Sequence, residues 1–351
     1  MKILILARRS RCNQSEADEH DFKFTKKVLK KLEDKYASIF LKFDKASSYK
    51  KYLNWNPNYI IFLGFDPISI EIKKFFSSSK FAIWAKCYSS SIKYEFRKFY
   101  DEVDFIFDSC YLNILSKKKN YFYLPTAIHD DFEYNFFKKT YISLYKNNLI
   151  SQVKKADILF SGSPRFNRKD NYRQELINIL IKKNIKVLIC APKKLWEKSN
   201  FKVDKKFQKN LFYSNHNYWA TREMYENSNF VLDLPWLDTI IPELEERFDP
   251  QFALGWNIFR SGFHGSNIIS YDCQMNKNIG LDESNCNFYT SNINKLSILA
   301  DEIEHIIKTV DKNEIEYKKL KIKNLFTKKH TYLSRWNFII SKLIESKNYE
   351  F

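Results

Sequence analysis

The strongest constraint on the fold is an alternation. Short, almost wholly apolar runs recur along the chain, and amphipathic helical patterns lie between them. Up to Leu124 the runs are Lys2–Ala7, Ser38–Phe43, Tyr59–Leu63, Phe81–Ala85, Val103–Phe107 and Tyr121–Leu124, with helical patterns such as Ser15–Tyr36 and Pro67–Phe75. A strand that is apolar on both faces is buried on both faces, which is a property of parallel sheets covered by helices. The alternation therefore predicts βαβ units.

Pro125–Lys155 is mixed and aromatic and reads as a crossover connection; after it the alternation restarts. Strands are expected at Ala156–Ser161, Lys186–Ala191, Lys209–Tyr213, Phe230–Leu234, Asn267–Tyr271 and Asn287–Thr290. Helices are expected at Tyr172–Lys183, Thr221–Asn227, Leu244–Phe263, Ile293–Val310, Glu314–Phe326 and Thr331–Glu345. A chain of 351 residues is too long for one ordinary core. The fold class expected is α/β: two tandem Rossmann-like, doubly wound domains facing a cleft, with C-terminal helices. The divisions expected are 1–150, 151–330, and a last helix in 331–351 packing back towards the first domain. In open α/β sheets ligands sit at the carboxyl ends of the strands, so the cleft is the expected site.

Composition removes several classes. No apolar run approaches the ~20 residues that span a bilayer, and "MKILILARRSRC" reads as a first buried strand rather than a signal peptide. The six cysteines show no CxxC pairing, which suits free thiols in a reducing cytoplasm and argues against zinc. The net charge of +18 suits an anionic partner, yet it also follows from a Lys- and Asn-rich composition. The basic residues are dispersed, as in "KFTKKVLKKLEDK" and "KKLKIKNLFTKK", which speaks against a single nucleic-acid groove.

Glycine is scarce, and its placement is informative. Of six glycines, Gly255, Gly262 and Gly265 fall within eleven residues. Gly265 reads as a left-handed helix end, and Gly262 as a point where a backbone or a ligand comes close. A second glycine stands in "FSGSP", where Ser161, Gly162 and Ser163 follow a strand. Small residues with free N–H groups there are able to cradle a phosphate, and an ordinary loop is the alternative. The stretch is neither a Walker loop nor GxGxxG.

The order of these pieces resembles the C-terminal half of GT-B glycosyltransferases, and within them the CgeB-type, spore-protein-like branch of the glycosyltransferase 1/4 superfamily. The resemblance rests on "YFYLPTAIHDDFE", "ADILFSGSPRFNRKDNYRQELINIL", "TREMYENSNFVLDL", "NIFRSGFHGSNIIS", "NKLSILADEIEHII" and "LFTKKHTYLSRWNFII", in that order over most of residues 120–345. The first 120 residues agree only in fold pattern. The resemblance implies transfer of a sugar from a nucleotide-sugar donor, held by the second domain, to an acceptor on the first. It implies no tightly bound cofactor and no catalytic metal; helix N-termini and basic residues neutralise the leaving diphosphate. One position departs. Where the family shows Arg or Lys and then a Glu that grips donor hydroxyls, this chain has Asn257 and Arg260. Arg260 suits a donor phosphate or a carboxylate-bearing sugar of ulosonic or sialic type; the other reading is a drift in donor mode or activity.

The donor-side candidates are Ser161, Gly162, Ser163, Arg165, His216, Arg260, Gly265, Ser266 and Asn267, with Arg168 and Asp233 beside them. His216 reads as a cap on the donor base or as an ordinary loop histidine, and Asp233 as a site residue or a helix cap. On the acceptor side, Asp18, Glu19 and His20 follow the first strand and supply candidate general bases, the alternative being an acidic helix start. Asp66, His129 and Asp130 are further candidates, while Cys87, Cys110 and Cys190 read as buried structural thiols. The function expected is a metal-independent glycosyltransferase building a surface polysaccharide or glycoconjugate on a glycan or lipid-linked acceptor. It would be cytoplasmic, with peripheral association at an anionic membrane face. The alternatives are an acidic-sugar transferase and a non-catalytic glycan- or nucleic-acid-binding protein.

Overall fold

The computed structural model describes residues 1–8, 25–32, 37–43, 52–63, 72–85, 102–109, 120–128, 146–162, 164, 172–191, 193–199, 201–214, 222–234, 256–291 and 295–345. By internal contacts these form two compact units, one from Met1–Ala127 and Thr331–Phe351, the other from Ile128–Asp238 and Leu254–His330.

The first unit is built on six parallel strands: β1 (Lys2–Arg8), β2 (Ala37–Phe43), β3 (Tyr59–Leu63), β4 (Lys80–Ala85), β5 (Phe105–Asp108) and β6 (Tyr121–Tyr123). Their order is β2-β1-β3-β4-β5-β6. Successive side chains leave opposite faces of a strand, and two cores follow. Ile3, Ile5, Tyr59, Ile61, Trp84 and Phe107 share one core; Leu4, Leu6, Ile60, Phe62, Ile83 and Ile106 share the other. The first core is closed by helical residues 25–31 and by the last helix of the chain, Tyr332–Glu345. On that helix Trp336 meets Trp84 edge-on at 5.8 Å, and Leu343 accepts a 2.7 Å hydrogen bond from the Tyr59 hydroxyl. Arg335 is buried and donates through Nε to the Pro125 carbonyl at 3.0 Å; burial lowers its pKa to about 10.

The second unit carries β7 (Ile158–Phe160), β8 (Val187–Ile189), β9 (Leu211–Tyr213), β10 (Phe230–Leu232), β11 (Ile268–Tyr271) and β12 (Asn287–Tyr289). All are parallel, in the order β12-β11-β10-β7-β8-β9. Counted within the unit this is 3-2-1-4-5-6, the Rossmann order. Its helices are α1 (Lys146–Lys155), α2 (Tyr172–Lys182), α3 (Lys193–Lys198), α4 (Arg222–Asn227), α5 (Trp256–Phe263), α6 (Gln274–Asn278), α7 (Leu296–Thr309) and α8 (Lys312–Lys329); Tyr332–Glu345 is α9. A 3-10 helix spans Lys205–Asn210. Two expectations need correction. The stretch read as a crossover connection contains the helix α1, and two short helical segments, α3 and the 3-10 helix, lie between β8 and β9. "KKLWEK" is too short to show a helical period, and it is held by Trp196, which is fully buried against Phe160 and Phe201.

Among the described residues, no helix is long and apolar enough to cross a membrane.

Candidate functional site

In the second sheet the strand order reverses between β7 and β10: the chain leaves β7 towards β8, and leaves β10 towards β11. Connections that diverge in this way open a crevice at the carboxyl ends of the two strands. Phe160 and Leu232 are paired there, so Ser161 and Gly162 emerge on one side and Asp233 and Leu234 on the other. A Cβ at 162 would lie 3.0 Å from Cζ of Phe160, so a larger residue there would need that ring to give by a few tenths of an ångström. Ser161, between them in sequence, is buried.

Arg173, in the first turn of α2, ties the two sides together. Its Nη2 donates to the Leu234 carbonyl at 2.6 Å, and its guanidinium stands 5.9 Å from the Phe160 ring centre. Asp233 is buried, and one carboxylate oxygen accepts a 3.0 Å hydrogen bond from the Ser270 hydroxyl on β11. Ser270 accepts in turn from the Asn276 amide at 3.0 Å, and the Tyr289 hydroxyl on β12 donates to the Asp233 carbonyl at 3.2 Å. Burial pushes the Asp233 carboxyl up to about 6, against the Ser270 hydrogen bond and the Arg173 charge, which both pull it down. Past β12, Glu302 of α7 accepts from the backbone N–H groups of Thr290 and Ser291 at 2.9 and 3.1 Å. The carboxyl end of the sheet thus presents an anchored carboxylate, an anchored guanidinium and a glycine-bearing strand end. A carboxylate there accepts from hydroxyl groups, while cationic charge and backbone N–H groups attract anions.

The glycine turn lies elsewhere. Gly265 has φ +71° and ends α5; Ser266 and Asn267 precede β11, at the amino end of the sheet. The Ser266 hydroxyl donates to the Tyr225 carbonyl at 3.1 Å. The Asn267 Oδ1 accepts from Asn287 Nδ2 at 2.8 Å, and Asn287 accepts from the buried Lys318 ammonium at 2.6 Å. The close approach read for Gly262 is made to α8: a Cβ would stand 2.6 Å from Phe326. Gly265, Ser266 and Asn267 are therefore packed into a helix–sheet junction and are not brought together with Ser161 and Gly162 at the carboxyl end.

Arg260 is buried on α5, where its charge acts on Cys190 just past β8. Burial pushes the Cys190 thiol up to about 12, against the Ser214 hydrogen bond and the Arg260 charge. Asn257, at the other departing position, accepts from the Tyr225 hydroxyl at 2.6 Å. Asp18, Glu19, His20, Ser163, Arg165 and His216 lie outside the described residues, as do Asp66, Cys87, Cys110, His129, Asp130 and Arg168. Among the described residues no three His, Cys, Asp or Glu side chains cluster as a metal site would require.

Sequence reasoning passed over Arg173, Ser270, Asn276 and Tyr289. Arg173 carries a signal. A helix dipole disfavours a cation in the first turn, so a basic residue opening the helix that follows β7 in the described chain asks for another partner. The other three carry none, since their partners lie on separate elements.

No family model matches the chain, and no curated protein matches it at a significant level. Solved structures do match. A glycosyltransferase from Rickettsia africae ESF-5 is 13% identical with a TM-score of 0.60, covering 98% of this chain and 98% of that one. Sucrose-phosphate synthase from Thermosynechococcus elongatus is 9% identical with a TM-score of 0.61, covering 99% and 100%. Anabaena Alr3699/HepE in complex with UDP and glucose is 8% identical with a TM-score of 0.59, covering 98% and 100%. At these identities the likeness is one of fold: two parallel-sheet α/β units with helices, as in the GT-B class.

Proposed function

We propose that this chain is a glycosyltransferase that moves a sugar from a nucleotide-sugar donor to a glycan or lipid-linked acceptor. The observation that carries the reading is the extent of the structural likeness, which runs through both units to a glycosyltransferase from Rickettsia africae and to an Anabaena protein in complex with UDP and glucose. The ordered motifs over residues 120–345 favour the CgeB-type branch.

The donor lies at the carboxyl ends of β7 and β10. Gly162 and its neighbours face the diphosphate with backbone N–H groups, and the field of Arg173, with Arg165 and Arg168, favours the charge that develops on the leaving group. Asp233 is the hydroxyl-gripping carboxylate in this unit, a role that the Arg260 position leaves open. Asp18, Glu19 or His20, after β1, takes the proton of the acceptor hydroxyl. The pathway is surface polysaccharide or glycoconjugate synthesis, in the cytoplasm or at an anionic membrane face. A second reading, an acidic donor sugar, rests on the guanidinium of Arg260 where the family has a carboxylate.

The test is a thermal-shift series with UDP, GDP, CMP, ADP and dTDP, with and without magnesium. A nucleotide at 100 times its Kd stabilises the unit that binds it by about 2.7 kcal/mol. That raises the Tm of a unit of this size by roughly 5–10 °C. The expected result is a magnesium-independent shift with one nucleotide, reduced in Asp233→Asn, and transfer of label from the matching nucleotide-sugar. A shift with none of the five would end the reading; a shift with CMP alone would favour the acidic donor.

A further inference from the structure

A second concave surface lies on the second unit, away from the β7–β10 crevice. It is an open groove of about 700 Å³ beside the edge strand β9, walled by α2, α3 and the segment leading into the 3-10 helix. That volume falls within the ~300–1,000 Å³ typical of ligand pockets. β9 stands two strands from β7, roughly 10 Å away at the usual strand spacing. The helix that carries Arg173 at its start carries Lys182 at its end, on the groove wall.

The lining has three components. Lys182, Lys202 and Lys205 are exposed and make no ion pair among the described residues. Tyr213 is half-buried and supplies aromatic surface, while Phe201 is almost wholly buried behind the lining, against Trp196 at 5.1 Å. Asn178 carries an amide oxygen that is buried and accepts no hydrogen bond within the protein, whereas buried polar groups ordinarily have a partner. Among the described residues the acids on the lining are Glu197, which lies 3.5 Å from Lys193, and Asp204.

We propose that this groove binds an anionic oligosaccharide. The open part of the Tyr213 ring and the amides of Asn178 and Gln208 suit the apolar faces and hydroxyls of sugar rings, and the unpaired lysines suit scattered negative charge. Glu197 and Asp204 leave only a small positive surplus among the lysines, which fits a ligand of low charge density better than the closely spaced phosphates of a nucleic acid. The choice of a glycan rests on the transferase reading; the groove would then hold the product or acceptor chain while the β7–β10 crevice holds the donor.

The test is calorimetric titration at physiological salt with a galacturonate hexamer, a neutral glucose hexamer and inorganic polyphosphate. The groove variant is the triple Lys182→Ala, Lys202→Ala, Lys205→Ala, all at exposed positions. The control is Lys312→Ala, Lys321→Ala, Lys328→Ala, which removes the same charge from exposed positions on α8. The groove triple is expected to weaken binding of the galacturonate hexamer by about tenfold or more, since hydrogen bonds to charged groups are lost. The control is expected to leave it within about twofold. Equal loss in both triples would overturn the proposal, as would no binding of the hexamer, equal binding of the neutral hexamer, or polyphosphate bound as tightly with the same loss. The nucleotide thermal shift is read in parallel. If it persists while the hexamer does not bind, only the groove assignment falls. If it is absent while the hexamer binds at the groove, the transferase reading falls and a glycan-binding unit remains.

Discussion

The contact between α5 and α8 allows a prediction that can be worked through. Gly262 lies one residue from the end of α5, and a Cβ there would stand 2.6 Å from Cδ2 and Cε2 of Phe326 and 2.8 Å from its Cγ. Carbon atoms in contact normally stand ~3.5–4.0 Å apart, so the ring would have to retreat by about 1 Å. It has no room to do so. Phe326 is fully buried, with Phe259 at 5.6 Å and His330 at 4.6 Å between ring centres. Overpacking of this kind costs ~1–3 kcal/mol. Alanine recovers up to ~1 kcal/mol of helix propensity relative to glycine. Gly262→Ala is therefore expected to destabilise the second unit by about 1–2 kcal/mol, a fall in Tm of roughly 2–8 °C. Phe326→Ala alone should cost ~3–5 kcal/mol through the cavity it leaves. In that background Gly262→Ala should cost nothing or stabilise slightly, because the added methyl no longer meets a ring. Urea unfolding of the four proteins in the cycle, followed by circular dichroism, yields the coupling energy directly. The reasoning is refuted if Gly262→Ala is as stable as the parent, or if it costs the same in both backgrounds.

Asp233 predicts a pH dependence with a definite sign. Its folded pKa is raised from an ordinary 3.8 to about 6, so the folded state holds the proton more tightly and the group's contribution falls as pH rises from about 4 to 6. The full difference is about 3 kcal/mol; Asp233→Asn should gain on the parent by that order at pH 7 and by little at pH 4, in urea unfolding at the two values. Glu302 has the opposite sign: although burial works to raise it, hydrogen bonds from Ser291 and Thr290 hold its carboxyl below the ordinary value. The advantage of the parent over Glu302→Gln is expected to be below about 1 kcal/mol after solvent screening and to fade as pH drops through the lowered pKa, as read by Tm. Trp336→Ala, deleting a fully buried ring against Trp84, should cost the first unit ~3–5 kcal/mol. A loss under about 1 kcal/mol by tryptophan fluorescence would mean that α9 is not part of that core.

Much of the fold was legible because its signals are local. Tyr59–Leu63 is a continuous apolar run, and it forms β3 over the same five residues, because a strand buried on both faces has no polar positions to blur its ends. The helices α7, α8 and α9 were legible from periods repeated over three turns or more, and the left-handed end of α5 from a glycine. What the chain did not disclose has a common cause. α3 is shorter than two turns, and its decisive contact, Trp196 against Phe160, is made to a strand 36 positions earlier in the chain. The two sheets draw on similar apolar runs yet differ in strand order, which depends on where each crossover lands. The glycine turn drew attention as a ligand seat, but the partner of Gly262 is a phenylalanine sixty-four positions later, so the turn serves packing. The Asp233–Ser270 hydrogen bond and the Arg173–Leu234 tie join residues 37 and 61 positions apart. Periodicity and backbone preference are properties of neighbours in sequence, and these the chain sets by itself. Which buried charge meets which hydroxyl, and at which end of a sheet, is decided only once distant elements are packed together.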